Sequence, residues 1–167
     1  DLTDRDLIGN ALSRVKEGGV WVVGPLSDNR NRSGAKPTDR NLVHLEEIAD
    51  VRQLYVLPAD ETYTVRLYGK TFTPDKTVYE VYECGKNAKP LAVYEDGAYT
   101  EGKAAITETK YGKGKIIVLG VVPDAATLTS LFKTLAAEVG LKRQFTADEN
   151  VKCVVRAGKS GEYLAAV

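Results

Sequence analysis

The stretch Gly18-Gly19-Val20-Trp21-Val22-Val23-Gly24-Pro25 decides the fold. The glycine pair closes a helix, the four apolar residues suit a strand buried on both faces, and Gly24-Pro25 stops regular structure. The expected order is therefore helix, buried strand, loop. The same grammar returns between Lys113 and Asp124, where a tight Gly-Lys turn leads into an apolar strand from Ile116 to Val122 and then a Pro-Asp helix start. Two such units predict an α/β fold, an open sheet with flanking helices, whose loops carry any function.

Upstream of the first unit, Thr3 and Asp6 fit a capping pattern, and Leu7, Ile8, Ala11, Leu12 and Val15 share one helical face. In a parallel sheet this helix needs a strand before it, and the sequence supplies none. Downstream, Leu26 to Arg40 is polar and turn-rich and leaves the C-terminal end of the first strand, where open α/β sheets place their crevices. It reads either as a solvated surface loop or as a contact to another subunit or domain, with Asp28, Asn29, Arg30, Arg32 and Lys36 as the contact residues. Thr38 or Asp39 is expected to cap a short helix carrying Leu42, Leu45, Ile48 and Ala49. His44 falls off that stripe and reads as an exposed histidine without a partner.

Val51 to Leu57 reads as a strand closed by Pro58, and Thr62 to Glu83 switches to period-two alternation with a turn at 73–76. Tyr63, Tyr68, Tyr79, Tyr82, Tyr94 and Tyr99 make this section aromatic, which suits strands, a partner-facing sheet or a sugar-stacking face. Leu91 to Glu95 and Ala104 to Lys110 follow as strands. Asp124 then caps the strongest helix, whose stripe is Leu128, Leu131, Phe132, Leu135, Ala136 and Val139 before Gly140. Beyond Gln144, Val151 to Arg156 and Tyr163 to Val167 read as two short strands around a turn at 158–161.

The 167 residues hold 23 basic and 23 acidic side chains, so no global field draws the chain to nucleic acid or anionic lipid. No apolar run reaches the length of a membrane span, and the expected context is soluble, cytoplasmic or periplasmic. Cys84 and Cys153 stand far apart without metal-ligand or Cys-x-x-Cys spacing, so no metal or cofactor is expected. The absence of methionine, the start inside a capping pattern and the apolar end make the chain read as a piece of something longer. Lys113-Gly114-Lys115 precedes its strand, which excludes a phosphate loop. A nucleophile elbow is missing, and Asp96, Glu101 and Glu108 flank strands without pairing as glycosidase carboxylates do. No catalytic residue is assigned.

In order and spacing, GGVWVVGPLSDNRNRSGAKPTDRNLVHLEEIADVRQLYVLP and AVYEDGAYTEGKAAITETKYGKGKIIVLGVVPDAATLTSLFKTLAAEVGL resemble the middle domain of family 42 glycoside hydrolases, the bacterial β-galactosidases. The resemblance implies a flavodoxin-like fold of the class I glutamine-amidotransferase type over residues 1–143, with 144–167 as the start of a small C-terminal β domain. It also implies a non-catalytic domain that helps assemble trimers and adjoins an N-terminal catalytic barrel lying outside this chain. Ala104 stands where the family often has proline, and residues 59–85 match poorly. Two other readings remain on this fold: an amidotransferase-like cysteine hydrolase, or a carbohydrate-binding module using the tyrosines.

Overall fold

The computed structural model describes residues 5–142, 151, 153–158 and 161–166. Helix α1 (Arg5–Lys16) leads through the glycine pair into strand β1 (Val20–Val23), as its apolar periodicity predicts. The Thr3 cap lies outside the described residues. After the long loop comes a single turn of helix, α2 (Leu45–Ile48), then β2 (Val51–Pro58), β3 (Val65–Leu67), β4 (Lys70–Phe72), β5 (Val78–Cys84), β6 (Ala88–Tyr94), β7 (Ala104–Tyr111) and β8 (Gly114–Leu119). Helix α3 (Ala125–Glu138) follows, and β9 (Cys153–Gly158) pairs with β10 (Gly161–Ala166) as an antiparallel hairpin.

The eight strands β1 to β8 form one mixed open sheet with few helices. Along its main path the order is β1-β8-β7-β6-β3-β4, and β2 joins through β5, which meets β7 at Tyr82 and Ala104. Among the described residues only β1 and β8 run parallel; the other pairs are antiparallel. The reason is local: β7 turns into β8 through Gly112-Lys113, with Gly112 at φ 62°, so these neighbours form a tight hairpin. The period-two segment resolves differently from its sequence reading. Its first hairpin turns at Tyr68-Gly69 between β3 and β4, and residues 73–76 connect to β5.

β8 is buried on both faces. Ile116 and Val118 pack with Val15 of α1 and Leu45 beside Trp21, while Ile117 and Leu119 pack with Leu131 and Leu135 of α3 beside Val20 and Val22. This alternation is the strand period acting on an all-apolar run, so the sheet needs helices on both sides. Asp124 caps α3 as expected, accepting from the backbone N–H groups of Ala126 and Thr127 at 3.0 and 3.1 Å. Of the α3 stripe, Leu131 and Leu135 are buried, whereas Phe132 and Val139 remain 47% and 37% exposed.

Gly120 sits where the two parts of the sheet meet. Its N–H donates to the Ala105 carbonyl at 2.8 Å and its carbonyl accepts from Glu80 N–H at 2.7 Å. A Cβ there would lie 2.5 Å from the Glu80 carbonyl oxygen and 2.8 Å from that of Ala105. Gly120→Ala is therefore expected to cost about 1–3 kcal/mol by overpacking. Gly24→Ala, where a Cβ meets nothing within 4 Å, should be neutral or slightly stabilising. Urea unfolding midpoints of the two variants check this; equal midpoints would contradict the packing assigned to Gly120.

Candidate functional site

The loop after β1 is held from beneath by two buried carboxylates. Leu26 and Asp28 both adopt positive φ, 59° and 67°, a conformation that needs outside support for a non-glycine residue. Glu80 of β5 supplies it for Leu26: its Oε2 accepts from the Leu26 N–H at 3.1 Å and from the Tyr82 hydroxyl at 3.0 Å, and its Oε1 accepts from the Gln53 side-chain amide at 2.6 Å. Glu80 thereby ties β2, β5 and the loop together.

Asp28 supports the loop's far end. Its side chain is wholly buried, and Oδ2 accepts from the backbone N–H groups of His44 and Leu45 at 2.5 and 2.6 Å while Oδ1 faces His44 Nδ1 at 2.9 Å. It thus satisfies orphan donors at the start of α2, and a negative charge is favourable there. This corrects two expectations. Position 44, rather than Thr38 or Asp39, precedes the first helical residue, and the carboxylate serving that end comes from sixteen residues earlier in the chain. His44 also has a partner, and its side chain is only 29% exposed. Nothing in the local sequence signals the pairing, because the loop folds back to make it.

Between these anchors the tip is a self-contained turn. Asn31 Oδ1 accepts from the backbone N–H groups of Ser33 and Ala35, both at 3.0 Å, and the Arg30 guanidinium donates to the Gly34 carbonyl at 2.8 Å. Of the five residues expected to make contacts, Asp28 points inward, Asn29 is half-buried, and Arg30, Arg32 and Lys36 are exposed. The outcome is a basic tip on a fixed base.

The other chemical candidates are absorbed by structure. Tyr63, Tyr79, Tyr82 and Tyr94 are core residues, with Tyr63 edge-on to Tyr79 and Tyr94 at 4.9 and 5.9 Å. Tyr68 and Tyr99 are exposed, and Tyr99 meets Tyr55 at a 60° tilt, which gives no flat stacking platform. Asp96 accepts from Thr64 N–H, while Glu108 pairs with Lys89 and Lys115 at 3.0 and 2.8 Å. Burial, followed by the charges of Asp50 and Glu83, pushes the Cys84 thiol up, so its thiolate is disfavoured. Cys153's side chain lies outside the described residues. Among the described residues, no group of three His, Cys, Asp or Glu side chains could hold a metal ion, and no helix is long and apolar enough to cross a membrane.

Burial also pushes the Glu80 carboxyl above its ordinary value of 4.5, against the pull of its three hydrogen bonds and the charge of Lys36. A raised folded value means that the native state holds this proton more tightly than the unfolded chain. The resulting stabilisation is complete below the unfolded pKa and is lost as pH rises through the folded one. The unfolding free energy of the wild type minus that of Glu80→Gln should therefore fall as pH rises from about 4 to about 8. Urea titrations across that range check it, and a constant difference would contradict the assignment.

The family model described as "Beta-galactosidase trimerisation domain" matches residues 1–142. The chain is 31% identical over 158 residues to β-galactosidase YesZ of Bacillus licheniformis and 27% identical over 162 residues to its namesake in Bacillus subtilis. These alignments cover 92% and 93% of the chain but 24% of each relative, so the chain spans about a quarter of their length. The fold is shared with a β-galactosidase crystal structure from Bacillus circulans sp. alkalophilus, at TM-score 0.82 and 20% identity over 93% of this chain and 24% of that one. A β-galactosidase from the haloarchaeon Halorubrum lacusprofundi shares it at TM-score 0.74 and 19% identity, over 89% and 22%. The chain belongs to the β-galactosidase trimerisation domains, the middle domains of family 42 glycoside hydrolases.

Proposed function

We propose that this chain is a non-catalytic assembly domain of a β-galactosidase, an enzyme acting on terminal galactosides whose catalytic barrel lies outside it. The observation that carries the reading is the trimerisation-domain match over residues 1–142, which implies self-association within the parent enzyme. In this reading residues 1–143 form the assembly domain and 144–167 begin a small C-terminal β domain. The fold is a variant of the flavodoxin-like, class I glutamine-amidotransferase type. The parallel β1/β8 pair, with α1 on one face and α3 on the other, supports that relation.

The contact is assigned to the basic tip. A cyclic trimer joins two different surfaces of neighbouring subunits, so each copy needs a projecting element and a receiving one. Arg30, Arg32 and Lys36 project from a loop fixed by Glu80 and Asp28, so less ordering entropy is lost when they dock. None of the three forms an ion pair among the described residues, leaving their charges available to an acidic surface on the next copy.

Light scattering on the parent protein tests both levels. The wild type is expected at three times the protomer mass, and the combined Arg30→Glu, Arg32→Glu and Lys36→Glu variant at the protomer mass. A monomeric wild type would overturn the assembly role. A variant that stays trimeric would overturn only the contact.

A further inference from the structure

The far half of β2 and the connection between β6 and β7 build an exposed surface that neither the core nor the loop after β1 uses. Tyr55 lies just past the register shift in β2, and Tyr99 stands on the connection, with their ring centroids 6.4 Å apart. The two residues are 45% and 73% exposed. Tyrosines left in water side by side are the kind of residue that anchors contacts between proteins.

Both rings stand on a fixed frame. In the connection, the N–H groups of Thr100 and Glu101 donate to the Gly97 carbonyl at 3.2 and 3.1 Å, and Gly102 N–H donates to the Tyr94 carbonyl at 2.9 Å. Gly97, at φ 91°, lies so close to Tyr63 that a Cβ there would meet its ring at 2.9 Å. The Tyr63 hydroxyl in turn donates to Glu61 Oε2 at 3.0 Å, which brings the segment before β3 to the same surface. Asp60, Glu61 and Glu101 are exposed there, and none of them forms an ion pair among the described residues. Lys103, two residues beyond Glu101, pairs with none of them either.

We propose that this surface receives the basic tip of a neighbouring copy, with an arginine guanidinium against Tyr55 and Tyr99 and the carboxylates of Asp60, Glu61 and Glu101 around it. The inference rests on the reading of residues 30–36 as the trimer contact and names the surface they meet. Charge is complementary: three exposed cations, Arg30, Arg32 and Lys36, stand against three exposed carboxylates, and within one copy no ion pair joins the two sets. The chemistry is specific to arginine. A guanidinium offers its face to an aromatic ring while its edge bonds a carboxylate. Two rings tilted at 60° beside carboxylates suit that cation better than they suit a flat sugar face. Tip and receiving surface are different parts of one chain, which is the head-to-tail arrangement that a cyclic trimer requires. Both are held by their own hydrogen bonds, so docking orders little new backbone.

Light scattering on charge-reversed parent protein tests the pairing. The combined Asp60→Lys, Glu61→Lys and Glu101→Lys variant should appear at the protomer mass, and Tyr99→Ala should raise the trimer dissociation constant at least about tenfold. Joining these three lysine substitutions to Arg30→Glu, Arg32→Glu and Lys36→Glu swaps the charges across the contact and should restore the trimer, which a misfolded variant would not do. A lysine variant that stays trimeric while the tip variant dissociates would overturn the proposal and leave the tip seated elsewhere. A six-fold variant that stays at the protomer mass would overturn it equally. A tip variant that itself stays trimeric would overturn the assignment of residues 30–36, so the two failures are told apart.

Discussion

Burial of β8 on both faces governs where the other elements stand. Ile116, Ile117, Val118 and Leu119 are all at most 7% exposed, and strand geometry sends them alternately to opposite sides. A single covering layer would leave half of them in water, at about 1.5–3 kcal/mol for each such side chain. Helices therefore stand on both sides, with α1 and α2 over one face and α3 over the other. β1 is placed by the same requirement, since its parallel pairing with β8 extends both layers by one strand.

The β7–β8 ladder and a shared apolar core join the antiparallel strands to this unit, and single polar contacts add further ties. Gly120 bridges Ala105 and Glu80, Thr109 donates its hydroxyl to the Ala49 carbonyl at 2.5 Å, and the Tyr94 hydroxyl donates to the Glu80 carbonyl at 2.9 Å. Glu80 is the costliest member, because its carboxylate is drawn from water into a site 1% exposed. Its hydrogen bonds offset that cost and fix the loop after β1. Asp28 fixes the same loop at its other end. The result is a fixed base carrying a charged, solvent-facing tip.

Sequence alone reveals the elements whose signal is local. The apolar run of β1, the capped stripe of α3 and the glycine turn into β8 each announce themselves within a few residues, and the ordered blocks around them carried the family resemblance. Over residues 62–83, alternation marks strands without naming their partners, and the register of β3 on β6 is set some thirty residues away. The candidate site carries the weakest local signal. Asp28 and Glu80 look like any acidic residue until the fold buries them, and His44 gains its partner only when the loop returns. Four of the six tyrosines that suggested a sugar face are core residues because tyrosine fills a pleated, half-apolar layer as readily as it meets a ligand.

The proposed role of this domain is contact with other polypeptide. A density map of the assembled parent protein at side-chain resolution tests it most directly. Three copies about a three-fold axis are expected, with residues 30–36 of each seated against a neighbour. A map in which this domain faces solvent on every side, or in which the copies meet only through other domains, would contradict it.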